Sequence, residues 1–180
     1  MKPLGVIALA CYATHAAWHL AHHRPDDLLW ACHLACVLVG VGLLASSPTL
    51  VAIGVSWLSF GLPLWAIDLA TGGEFLPTSV LTHVVGFALG ILGVRRLGFP
   101  RGTWWKAALA FVALWPITRA LTERAANVNL AFSVHPGWER VFPVYAVYFA
   151  AIVGLATATF FGVERAFLRD PHRALDREGA

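Results

Sequence analysis

Charge is scarce in this chain. Lysine, arginine, aspartate and glutamate make up 13% of its 180 residues, where a soluble domain carries about a quarter. With 58% hydrophobic residues and a mean hydropathy of +0.69, the deficit excludes an ordinary water-facing domain and points to lipid as the solvent. The net charge is only +3 and the cations form no stripe, which excludes the electrostatic footprint of nucleic-acid binding. Cysteine is also short: Cys11, Cys32 and Cys36 make no even-numbered disulfide framework. Cys32 and Cys36 stand four apart on one helix face, which does not suit a bridge between segments. There is no internal repeat and no low-complexity segment. Once about six spans of about 20 residues are placed, no room is left for a separate soluble domain.

What is present is a series of apolar segments, at about residues 3–23, 27–46, 48–70, 77–97, 103–122 and 141–163. They predict an all-α fold, a polytopic integral membrane helix bundle of about six transmembrane helices. Residues 1–163 form the transmembrane domain, and 164–180 a charged cytoplasmic tail in which His172 is a surface histidine. The first segment starts like a signal peptide, but its single Lys2 and an apolar run that continues past Cys11 predict a retained helix. Arg24-Pro25-Asp26-Asp27 reads as a tight turn whose aspartates cap the next helix. Gly61 and Pro63 predict a kink, and Gly86, Gly90 and Gly93 a stripe for close helix packing. Residues 123–140 are too polar to span and read as a loop or short helix over one end of the bundle.

Six spans put both termini on one side, with Lys2, Arg95, Arg96, Arg101, Lys106, Arg165, Arg169, Arg173 and Arg177. The other side holds Arg24, Arg119, Arg124 and Arg140. Nine cations against four place both termini in the cytoplasm, in a multi-pass protein of the cell inner (plasma) membrane.

The same topology gathers polar residues at the outer end. His15, His19, His22 and His23 close the first span, and Cys32 and His33 open the second. Asp68 closes the third, and Thr78, Ser79, Thr82 and His83 open the fourth. Arg119, Glu123, Asn127, Asn129 and His135 follow around the fifth. All fall within roughly 10 Å of depth, which predicts a polar pocket opening outward.

Three chemistries fit that set. The first four histidines fall within roughly a 100° arc of one helix face, and with His33 they offer ligands for a transition metal, zinc or iron. HLAHH also matches the HxxHH box of membrane di-iron desaturases, but the further boxes those enzymes need do not occur here. Without a metal, such histidines simply sit at headgroup level. Asp68 is either a catalytic carboxylate or one half of a structural ion pair with Arg119. Cys32 with His83 offers a nucleophile and base for acyl transfer, with Thr78 or Thr82 as alternative nucleophiles. The plain alternative for Cys32 is a small apolar filler. The eight tryptophans and three tyrosines read as rim anchors and lipid-facing bulk.

Cys32-His33 in an early helix, PLWAID from Pro63 to Asp68, His83, and NVNLAF after a further helix are scattered over about residues 28–160. In that order the chain resembles the YwaF-like integral membrane family, whose eukaryotic relatives include lipid acyltransferases that use a cysteine and a histidine. The resemblance implies those roles for Cys32 and His83. The expectation is therefore a membrane-embedded lipid-handling enzyme, for acyl transfer or hydrolysis, with membrane lipid as its partner. A histidine-rich metal-binding or transport protein and a non-catalytic structural membrane partner are the alternatives.

Overall fold

Ser47 and Pro48 start the helix about which the others pack. The Ser47 hydroxyl accepts from the Leu50 amide at 3.4 Å, and Pro48 fills the first helical position, where its missing N–H costs nothing. The computed structural model describes residues 1–169. Among them run six α-helices and no strand: α1 (Lys2–Ala21), α2 (Ala31–Leu44), α3 (Pro48–Ala70), α4 (Gly86–Leu97), α5 (Thr103–Leu121) and α6 (Tyr145–Arg169). A 3-10 turn, Pro25–Leu29, joins α1 to α2, and a π-turn, Leu81–Val85, leads into α4.

α3 lies at the centre, and Val51 to Leu58 are buried without interruption. Around it Trp57, Phe60, Phe111 and Phe160 pack edge to face, and the Trp57 indole donates to the Ala107 carbonyl at 3.0 Å. The expected glycine stripe packs as its composition implies. A Cβ on Gly90 would stand 2.6 Å from Val55 Cγ2, and one on Gly93 would stand 2.8 Å from Leu43 Cδ2. Gly54 is less forgiving, because its added Cβ would meet backbone, the Ala35 carbonyl oxygen at 2.7 Å, which cannot turn aside as a side chain can. Gly54→Ala should therefore push α2 off α3 and destabilise the fold by about 1–3 kcal/mol. Gly154→Ala, with nothing within 4 Å of the new methyl, should not. Thermal unfolding of the two variants in detergent separates them; equal midpoints would refute the close approach.

Successive helices run in opposite directions. At one end α6 meets the start of α5, where the Glu164 carboxylate accepts from the Gly102 and Trp104 amides, each at 2.9 Å. Residues 164–169 were expected in a solvated tail, but they continue α6. The reason is that Glu164 serves as a buried cap for another helix. Residues 170–180, including His172, lie outside the described residues.

α1, α3 and α6 are long and apolar enough to cross a membrane. α6 has a mean hydropathy of 1.9 over its best window, yet only 17% of that window is buried, so this apolar surface needs a non-aqueous neighbour. α2 is shorter than expected. Its 14 residues rise about 21 Å, because Pro25–Leu29 winds as a 3-10 turn instead of opening the helix.

Candidate metal and thiol site

The polar end of the bundle is built around the turn between α1 and α2. The Asp27 carboxylate accepts from Arg24 Nε at 2.7 Å and Trp30 Nε1 at 3.1 Å, and it lies 3.4 Å from His19 Nδ1. The Asp27 carbonyl faces His33 Nδ1 at 2.7 Å. One residue thus touches two histidines on different helices. Arg24 also reaches Glu74 at 2.7 Å, closing the rim across the α3–α4 connection. That carboxylate hydrogen bond holds the Arg24 guanidinium's pKa above its ordinary value.

Inside this rim three imidazoles converge. His15 Nε2 lies 3.0 Å from His33 Nε2 and 3.1 Å from His19 Nε2. All three rings are buried, at 1%, 2% and 6% exposure for His15, His19 and His33. The outer nitrogens are occupied from behind: His15 Nδ1 by Thr78 Oγ1 at 2.8 Å, His33 Nδ1 by the Asp27 carbonyl, and His19 Nδ1 by the Asp27 carboxylate. The His19 contact lacks the alignment of a hydrogen bond and is a close approach only.

A second group shares His33. Ligand atoms of Cys32, His33 and His83 lie within 4.8 Å of one another. His83 sits in the π-turn, whose extra residue carries its ring into the site. Its Nδ1 faces the Ser79 carbonyl at 2.9 Å, and its ring stacks on Trp65 with centroids 4.8 Å apart. A carbonyl oxygen only accepts, so Nδ1 carries the hydrogen and Nε2 keeps the lone pair. Cys32 packs opposite Gly61, where an added Cβ would lie 3.2 Å from its own, and it is the one partly exposed thiol; Cys11 and Cys36 are buried. The thiol makes no hydrogen bond to either imidazole among the described residues.

Several expected residues stand elsewhere. His22 is exposed, stacks on Trp18 with centroids 4.0 Å apart and bonds to the Trp18 carbonyl. His23 is also exposed, at φ 56°, because α1 has ended at Ala21 and the helical spacing no longer applies. The metal-ligand set expected from the first helix therefore reduces to His15 and His19, joined by His33.

Asp68 does not pair with Arg119. It lies at the surface 3.6 Å from His135, whereas Arg119 donates to the Ala131 carbonyl at 3.0 Å and lies over the Trp115 and Phe132 rings. The backbone of the loop after α5 takes the guanidinium instead. Thr78 backs His15 instead of His83. Thr82 does stand beside His83, its Oγ1 3.3 Å from Nδ1, but that nitrogen carries the ring's hydrogen and the Thr82 hydroxyl donates to the Ser79 carbonyl at 3.0 Å, so the arrangement gives this threonine no base.

Two residues outside the expected catalytic and ligand set hold the site. Asp27 was read as a cap, yet it braces the histidines. Asn129 reaches the start of α2, where its side-chain oxygen accepts from the Ala31 amide at 2.7 Å. No family model, curated protein or solved structure matches the chain.

Proposed function

We propose that the protein is a membrane-embedded enzyme that transfers or hydrolyses the acyl group of a lipid ester, with Cys32 as nucleophile and His83 as base. The observation that carries this reading is the thiol and imidazole within 4.8 Å of each other, with His83 Nδ1 fixed by the Ser79 carbonyl. Nucleophile, base and orienting group are the parts that activated nucleophiles share, and the spacing in an unliganded site is commonly loose. The resemblance to the YwaF-like family assigns the same two residues.

The setting suits such a substrate. The chain crosses the membrane six times in this reading, with both termini cytoplasmic as the nine-to-four split of cations requires. The site then lies at the outer boundary, at the depth of a phospholipid's ester carbonyls. His83 Nε2 takes the thiol proton as sulfur attacks the carbonyl. The departing alcohol takes that proton, and a thioester forms on Cys32. Water or a second alcohol then attacks the thioester and returns the thiol.

The intermediate is directly observable. Purified protein incubated with p-nitrophenyl butyrate should gain one butyryl group by intact mass, removable by neutral hydroxylamine and located on Cys32. Cys32→Ser should gain none, while Cys11→Ser and Cys36→Ser gain it as before. A label on Cys11 or Cys36, or no label at all, would end this reading.

A further inference from the structure

The three inward nitrogens of His15, His19 and His33 do not have enough hydrogens among them. His33 Nδ1 faces a carbonyl, so it bears that ring's hydrogen and leaves Nε2 a bare lone pair. His19 Nδ1 lies 3.4 Å from the Asp27 carboxylate, whose charge favours the hydrogen on that nitrogen and the lone pair on Nε2. His15 Nε2 touches both, at 3.0 and 3.1 Å, and carries at most one hydrogen, which can point to one neighbour only. At least one buried lone pair is thus left without a donor. If Thr78 accepts from His15 Nδ1, all three lone pairs converge. Burying unmatched acceptors is costly, and the gap is too small for a water molecule between the nitrogens.

We infer that His15, His19 and His33 hold one divalent transition-metal ion, zinc by the character of the donors. Four observations meet here. The donors are three neutral imidazoles, a set that suits zinc. Tetrahedral zinc at 2.0–2.1 Å from nitrogen sets its ligands about 3.3–3.4 Å apart, and the two observed separations fall a few tenths of an ångström short of that. The third separation is no more than 4.8 Å, so the ion is reached by a small turn of the His19 or His33 ring. Each ring is braced at its other nitrogen by an oxygen, the arrangement that orients histidine ligands and raises their basicity. Three protein ligands leave a fourth position for water.

The site is separate from the acyl-transfer chemistry, although His33 lies beside both. Its single free nitrogen belongs to the metal, and the base for Cys32 is His83.

The test uses the tag-free full chain in detergent, stripped with chelator and then given zinc chloride alone. After desalting, elemental analysis should find about one zinc per chain, and cobalt in its place should give the intense visible bands of a tetrahedral site. His19→Gln and His33→Ala should each weaken binding at least tenfold. Asp27→Asn keeps all three ligands and should weaken it about 10- to 100-fold. His22→Ala and His23→Ala should bind as the parent does. Cys32→Ser should also keep its zinc, so loss of acylation and loss of metal are read independently. Should the ligand variants fail to fold, the parent's stoichiometry, the cobalt spectrum and Asp27→Asn decide alone. Less than a tenth of an equivalent of zinc in the parent overturns the inference. So does metal lost with His22 or His23 but kept without His19.

Discussion

His83→Ala lowers the turnover of p-nitrophenyl butyrate by roughly 10³-fold, the middle of the range for losing a positioned general base. The fall lies in kcat, with KM nearly unchanged, because the imidazole acts on the thiol proton and does not bind the acyl chain. The ring also stacks on Trp65, so its removal leaves a space beside the thiol. Added imidazole should enter that space and restore part of the rate, which a merely structural histidine would not permit. Replacing Ser79 tests less, since its contribution to His83 is a backbone carbonyl. A rate within about threefold of the parent in His83→Ala would remove the base from the mechanism, whatever Cys32 does.

Helix positions were legible where local chemistry alone sets them. Ser47-Pro48 starts α3 and the Thr71-Gly72 turn ends it, and both bounds match the apolar segment. The start of α2 was not. The apolar run includes Leu28 and Leu29, and only the folded loop shows that the helix waits until Ala31, where Asn129 supplies the acceptor for its first amide. The site divides in the same way. His15 and His19 are one helical turn apart, so their neighbourhood follows from spacing. That His33 would enter the same layer followed from the topology, but that its ring would meet theirs, and that Asp27 would brace two rings, depends on how a five-residue 3-10 turn folds back between helices. No period in the sequence reports that. Asp68 misled because it is a carboxylate beside an apolar span, which usually signals a partner; its partner lies in the 127–138 loop, and the residue stays at the surface.

Asn129→Ala destabilises the fold by about 3 kcal/mol, the sum expected from stranding several partly buried groups at once. The side-chain oxygen accepts from Ala31 N at 2.7 Å, and the amide nitrogen donates to Leu29 O at 2.8 Å and Thr118 Oγ1 at 3.0 Å. This one side chain ties the 3-10 turn, the start of α2 and the end of α5. It also sits at φ 53°, a left-handed conformation that asparagine tolerates and alanine does not. Asn129→Gly should therefore lose the same hydrogen bonds but recover about 1 kcal/mol of strain. Thermal unfolding in detergent of the two variants beside the parent measures both terms. The damage reaches the site, because Ala31 is followed directly by Cys32 and, one residue on, by His33. Loosening that first turn should quicken maleimide labelling of Cys32 while leaving Cys36, deeper in α2 with its thiol on the Ala8 carbonyl, as slow as before. Equal midpoints for parent and Asn129→Ala, or labelling that quickens at both cysteines alike, would show that Asn129 does not hold the site in place.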